Sequence, residues 1–175
     1  MDFEITKQQQ AIVDQVRDFT AKRLRPGVVE RDEASEFPLE AFKESGKMGM
    51  FGLCYPKAFG GSDVGYLPYI LAVEEVSKVD ASFGIGFSVN TSLYGGSVMY
   101  SSATDEQKKR FLAPIASGQA IGSFGLTEET AGSDAAGQQT IATKDGDGYI
   151  LNGTKIFKGF EGEFRSFIAF YHTGP

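Results

Sequence analysis

Near residue 120 the spacing of apolar side chains changes, and that change limits what the chain can fold into. Upstream they recur at three and four, as in Ile12, Val13, Val16, Phe19 and Leu24, then Leu67, Ile70, Leu71 and Val76, then Phe111, Leu112 and Ile115. Each set lays a stripe along one face of a helix. Downstream the spacing falls to two. In Gly122-Ser-Phe-Gly-Leu-Thr127, Phe124 and Leu126 share one face while Ser123, Gly125 and Thr127 share the other, as in a half-buried strand. The expected fold class is α+β: an all-helical domain of about five helices over residues 1–118, then an antiparallel β-domain over residues 119–175.

Two Thr-x-x-Gln capping boxes, Thr6/Gln9 and Thr104/Gln107, open the first and last helices. Pro26 stops the first, and Gly118 follows the last as a left-handed C-terminal residue. A short helix starts at Pro38, buries Leu39 and Phe42, and ends near Gly46; residues 49–65 read as a loop. On the helix Leu67–Val79, the adjacent Glu74 and Glu75 diverge and are read as solvated. Arg23, Arg25 and Arg31 interleave with Glu30, Asp32 and Glu33, as a self-compensating surface would. Between Asp80 and Tyr100, alternation of Phe83, Ile85, Phe87 and Val89 allows a strand, and the uncharged composition suits a buried helix equally. Beyond residue 120, strands are expected at Ala120–Thr127, Gln139–Lys144 and Tyr149–Leu151, joined by a turn at Asp145-Gly-Asp-Gly148. Asn152-Gly153 then turns into Thr154–Phe157, and Ser166–Tyr171 reads as a last strand.

Several function classes are excluded or disfavoured. A net charge of −6 argues against nucleic acid and anionic membranes, whose binding needs clustered Lys and Arg. No apolar run is long enough for membrane insertion, and the start lacks a signal peptide's pattern, so a cytoplasmic location is expected. One Cys and one His cannot build a structural zinc site, and no metal is expected. Cys54 sits among apolar neighbours as an inert packed thiol.

The strand at Phe124 opens into a loop of small and hydroxyl residues: Thr127, Thr130, Gly132, Ser133 and Gly137. Such a loop can serve merely as a turn, or its N–H groups and hydroxyls can cradle a phosphate or a flavin edge. The motifs settle which reading is pursued. Phe124-Gly-Leu-Thr-Glu128, Ala131-Gly-Ser-Asp-Ala135 and Asn152-Gly-Thr-Lys-Ile-Phe157, preceded by Ala72-Val-Glu-Glu-Val76 and Asp105-Glu-Gln-Lys-Lys-Arg-Phe-Leu112, resemble the acyl-CoA dehydrogenase family, its short-chain, butyryl-CoA-type members above all.

That resemblance implies an N-terminal helical domain, a middle β-domain present only in part, and a C-terminal helical domain that carries the catalytic glutamate. No catalytic residue is therefore assigned within the 175 residues. It implies FAD as cofactor, oxidation of the α–β bond of a short-chain acyl-CoA with hydride transfer to flavin N5, and an acceptor of the electron-transfer flavoprotein type. Carried over by position, Phe124, Leu126, Thr127 and Gly132 would meet the flavin, Ser133 its pyrophosphate, and Phe157 would pack beside it where many members have Trp. Asn90, Leu93 and Ser133 would meet substrate, with residues 90–99 forming the acyl pocket floor. After Phe157 the family reads Ile-Thr-Asn-Gly, whereas this chain reads Lys158-Gly-Phe-Glu161 and lacks the threonine hydroxyl, so altered flavin contact is expected there. Glu128 and Glu129 are given structural or solvated roles and His172 an exposed one. An incomplete β-domain leaves a sheet edge and an apolar face uncovered, which predicts a homo-oligomer. The alternative is a non-catalytic module that pairs with itself or another chain.

Overall fold

Thr6 caps the first helix reciprocally: its hydroxyl accepts from Gln9 N at 3.2 Å, and Gln9 Oε1 accepts from Thr6 N at 2.8 Å. The computed structural model describes residues 4–157 and the backbone of residues 166–169. Helix α1 (Lys7–Phe19) runs into a π-helical turn, Thr20–Leu24, and breaks at Pro26 and the left-handed Gly27. There follow α2 (Val28–Glu33), α3 (Leu39–Lys47), α4 (Tyr66–Ser77), α5 (Ala81–Ser88), a second π-helical turn at Val89–Gly95, α6 (Gly96–Tyr100) and α7 (Asp105–Ala116). Thr104 caps α7 as Thr6 caps α1, and Gly118 takes φ +71° beyond its end.

The ambiguous stretch is helical. Asp80 accepts from Phe83 N at 3.0 Å and so starts α5. Phe83 and Phe87, four apart, then face inward while Ile85 stays two-thirds exposed. Glycines set how close that helix lies: a Cβ on Gly84 would stand 2.0 Å from Ser77 Oγ. The three αR pieces from Ala81 to Tyr100 are continuous in backbone conformation, so α5, the π-turn and α6 form one helix.

Phenylalanine rings fill the space between these helices. Phe42 lies 4.4 Å from Phe51 and 5.4 Å from Phe83 between ring centroids, and Phe51 lies 5.2 Å from Phe87. All four rings are essentially fully buried, alongside Leu24, Tyr55, Val76, Tyr94, Leu112 and Ile115. Tilted and edge-on rings at such spacings pack favourably beyond their burial alone.

Two charge readings are corrected. Glu75 is buried, not solvated: α1 packs on its side of α4 and brings Arg17, whose Nε and Nη2 donate to the carboxylate at 3.0 and 3.2 Å, joined by Lys78 at 2.7 Å. Glu74, on the diverging side, stays exposed beside Lys78. Arg31 likewise turns inward, donating to Leu24 O at 2.6 Å, Pro26 O at 2.7 Å and Asp80 Oδ2 at 3.2 Å. It ties the end of α1 to the start of α5 rather than forming surface.

The β-part holds β1 (Gly122–Gly125), β2 (Ile141–Asp145), β3 (Gly148–Asn152) and β4 (Ser166–Ala169). β2 and β3 pair antiparallel with Asp145 opposite Gly148, which is the expected hairpin; Gly146 turns it at φ +55°. β1 pairs with β4 in parallel, Gly122 opposite Ser166, a partner the two-residue period does not identify. Thr154–Phe157 is not a strand. Its backbone meets the residues after β1 where Ile156 N donates to Thr127 O at 2.9 Å. Phe170 and Tyr171, at the end of the expected last strand, lie outside the described residues, as do His172 and the divergent residues 158–161.

Candidate cofactor site

Strand β1 reaches the site by lying directly on the long helix. Asn90, fully buried in the π-turn, accepts from Gly122 N at 2.9 Å, and a Cβ on Gly122 would strike Tyr94 Cγ at 2.3 Å. The face that Gly122 shares with Phe124 therefore packs toward the helix. Ser123 and Gly125 are buried, and Phe124 and Leu126 are partly buried.

From Leu126 the chain makes a loop whose two ends are drawn together. Glu128 and Ala131 exchange backbone bonds at 2.9 and 3.2 Å, forming a tight turn that leaves Gly132 and Ser133 exposed beyond it. At the far end, Gln139 N donates to Glu128 Oε2, while Thr140 N and Oγ1 donate to Glu128 Oε1 at 3.0 and 2.5 Å. Lys155 closes the set: its ammonium donates to Glu128 Oε1 at 2.7 Å, Leu126 O at 3.0 Å and Gln138 Oε1 at 3.0 Å. Both charged side chains are more than nine-tenths buried. Lys155, the Thr140 hydroxyl and the Gln139 and Thr140 N–H groups hold the Glu128 carboxyl down at about 2. A carboxylate so stabilised is a poor proton acceptor, which gives Glu128 the structural role expected of it.

Gly153 is what lets the Lys155 segment pass so near, since a Cβ there would stand 2.2 Å from Thr140 Oγ1. Two residues beyond Lys155, Phe157 has φ +56° and is 88% exposed. A cleft of about 510 Å³ opens beside the pair, lined by Glu129, Thr130, Gln139, Thr154 and Ile156 among others. A larger one, about 780 Å³, lies between α6 and α7 and takes Ser97 and Val98 from the stretch expected to floor an acyl pocket.

Of the residues singled out from the sequence, Phe124 lies on β1, and Leu126 and Thr127 directly follow its end. Phe157 joins them through the Thr127–Ile156 bond. Gly132 and Ser133 sit on the loop that the Glu128 network closes. Asn90 is bonded to the base of the strand, while Leu93, 41% exposed on the same π-turn, is outside this bonded set. Lys155 gets no role from the sequence, although it stands within the motif Asn152-Gly-Thr-Lys-Ile-Phe157. No local pattern singles it out, because its partner lies 27 residues away. Among the described residues no cluster of His, Cys, Asp or Glu has the makings of a metal site, and no helix is long and apolar enough to cross a membrane.

Comparison with known proteins bears on the whole chain. The model of the acyl-CoA dehydrogenase N-terminal domain matches residues 6–119, and that of the acyl-CoA dehydrogenase middle domain matches residues 123–171. A probable acyl-CoA dehydrogenase of Bacillus subtilis is 46% identical over 99% of this chain and 46% of its own length. The butyryl-CoA dehydrogenase of Megasphaera elsdenii superposes with a TM-score of 0.88 at 43% identity, covering 94% of this chain and 44% of that one. A glutaryl-CoA dehydrogenase of Mycobacterium smegmatis in complex with FADH2 superposes at 0.89 with 34% identity, covering 97% and 43%. The chain spans about half the length of the curated relatives it matches.

Proposed function

This chain belongs to the acyl-CoA dehydrogenase family, and from that premise we propose that it forms the flavin-binding face of an enzyme that oxidises the α–β bond of a short-chain acyl-CoA. The observation that carries this reading is the join just after β1, where Thr127 O accepts from Ile156 N and brings the Phe124–Thr127 stretch to the segment leading to Phe157. The donor set suits FAD. Neutral hydroxyls and backbone N–H groups at Thr127, Gly132 and Ser133 match a flavin's polar edge and a pyrophosphate. A Cβ on Gly132 would meet nothing within 4 Å, so packing within the described chain makes no demand for glycine there, and a backbone approached by ligand would.

When bound, FAD supplies the acceptor for the hydride leaving the substrate's β-carbon. Phe124, Leu126 and Phe157 give apolar surface that orients the ring and excludes water. The Thr127 hydroxyl bonds the ring's edge, with Gly132 offering its backbone, and Ser133 bonds the pyrophosphate. Leu93 and Ser133 serve the acyl-CoA, whereas Asn90, expected beside them, is fully buried beneath β1 and acts on the site only by holding that strand. The α-proton acceptor lies outside these residues. We place the domain boundary between residues 118 and 119, the location in the cytoplasm, the acceptor among electron-transfer flavoproteins, and the active form as a homo-oligomer.

The test is a visible absorption spectrum of the purified chain before and after adding FAD and then butyryl-CoA. A flavin band retained through gel filtration is expected, unbleached by substrate because no proton acceptor is in place. A colourless protein that stays colourless overturns the flavin reading. It would favour a non-catalytic assembly module, which the uncovered apolar faces of the β2–β3 hairpin support.

A further inference from the structure

The Glu128–Lys155 pair joins three stretches of chain, and they are the three that carry the candidate flavin residues. Leu126 O and the Glu128 carboxylate belong to the strand end with Phe124 and Thr127. Gln138, Gln139 and Thr140 close the loop that presents Gly132 and Ser133. Lys155 itself leads to Ile156 and Phe157. An ammonium has three protons, and all three are used here; the carboxylate accepts four bonds in all. Burying two charges for stability alone is a poor arrangement, since an apolar pair of like volume does as well or better. What a saturated buried pair adds is one fixed geometry among the stretches it joins.

We propose that Glu128 and Lys155 are positioning residues that hold both ends of the Leu126–Thr140 loop against the segment leading to Phe157, and so set the shape in which the chain receives FAD. This rests on the flavin reading above. The pair touches no reacting atom; it acts through Thr127, the Gly132–Ser133 backbone and Phe157. Lysine suits the position because three donors point to three separate acceptors, where the planar fork of an arginine would match a single carboxylate. Gly153 belongs to the same device, because any side chain there would push Lys155 away from Thr140 and Glu128.

The experiment compares the full chain, Lys155→Met, and the double variant Glu128→Gln/Lys155→Met. Two quantities are read: hydrogen exchange at the backbone N–H groups of Gln139, Thr140 and Ile156 without ligand, and FAD affinity by titration of flavin fluorescence with the spectrum of the bound form. Lys155→Met is expected to speed exchange at all three groups at least tenfold while α1 to α7 keep their rates. FAD affinity should fall at least tenfold with a shifted spectrum. The double variant removes the unpaired buried charge and should regain thermal stability, yet exchange and affinity should stay impaired, which a purely stabilising pair would not do. Should Lys155→Met alone fail to fold, the double variant decides. Wild-type exchange at the three groups, or FAD affinity within twofold and an unchanged spectrum, overturns the proposal. If the wild-type chain binds no FAD, the flavin reading falls by itself, and exchange alone decides whether the pair fixes the loop.

Discussion

The helical and β-regions are held together by different physics. From α1 to α7 the chain closes a core of aromatic and aliphatic side chains, and its buried charges, Glu75 and Asp80, are met by Arg17, Lys78 and Arg31 at the margins of that core. Beyond residue 120 the described residues form little comparable core. Glu128, Lys155 and Thr140 are buried where a small domain would ordinarily bury leucines, while Tyr149, Ile150 and Leu151 on β3 are each half-exposed or more. One region is therefore stabilised by area removed from water, the other by a hydrogen-bonded network and by its joint to the helix at Asn90. The difference teaches that the shape of the described β-region depends on a few polar bonds.

The largest effect should come from the helical core. Phe51→Ala removes a ring packed against Phe42 and Phe87 and should cost about 3–5 kcal/mol in denaturant unfolding. A cost below about 1 kcal/mol would break the comparison, since it would mean that the aromatic cluster contributes no more than a surface residue. Asn90→Ala should cost less, about 1–3 kcal/mol, by leaving Gly122 N buried without its acceptor. Its signature should be uneven, with hydrogen exchange rising along β1 before it rises in α1 or α4. Equal loss in both regions would show that they unfold as one unit.

What is legible in the sequence follows the same division. The capping boxes at Thr6 and Thr104, the stop at Pro26 and the hairpin at Asp145–Gly148 are set by residues three or four apart, and each is where local chemistry puts it. Asp80–Tyr100 is ambiguous in sequence because Phe83, Ile85 and Phe87 alternate, yet Phe83 and Phe87, four apart, also share one helix face where Gly84 lets it pack tightly; the cap at Asp80 decides. Glu75 and Arg31 escape a local reading because their partners, Arg17 and Asp80, lie 58 and 49 residues away and no nearby pattern announces them. At the site, the motifs name Phe124, Leu126, Thr127, Gly132, Ser133 and Phe157 as candidates. The bonds that arrange them come from Lys155 and Gly153, whose importance depends on a contact across the loop.

Acid should separate the two regions next. The Glu128 carboxyl lies at about 2, below its ordinary 4.5, so its contribution is complete above the higher value and is lost as pH falls through the lower. Burial alone would raise Asp80, but the Phe83 N–H, the Ser82 hydroxyl and Arg31 outweigh it and lower the carboxyl, so its contribution also fades on acidification. Exchange at Gln139 and Thr140 should therefore rise between pH 4.5 and 2, and Glu128→Gln should flatten that rise. The aromatic rings have nothing to titrate, so Phe51, outside the helix that Asp80 caps, should keep its protection further into acid. Simultaneous loss of protection at the core and at the loop would remove the distinction.

The smallest effect on stability should come from the hairpin, and it is the one that tests what an uncovered face does. Ile150 and Leu151 are adjacent and so point to opposite faces, each about half-exposed. Ile150→Thr/Leu151→Thr puts β-branched side chains at both strand positions and should change unfolding free energy by no more than about 0.5 kcal/mol per site. Yet it removes apolar surface from both faces, so sedimentation at rising concentration should show weaker self-association than in the wild-type chain. The helical region offers the control. Ile70 and Ile85 are also more than half-exposed, though a closed core lies beneath them. If Ile70→Thr/Ile85→Thr weakens association and the hairpin variant does not, the helical face is the sticky one, and the β-region's open surface is matched to a ligand rather than to another chain.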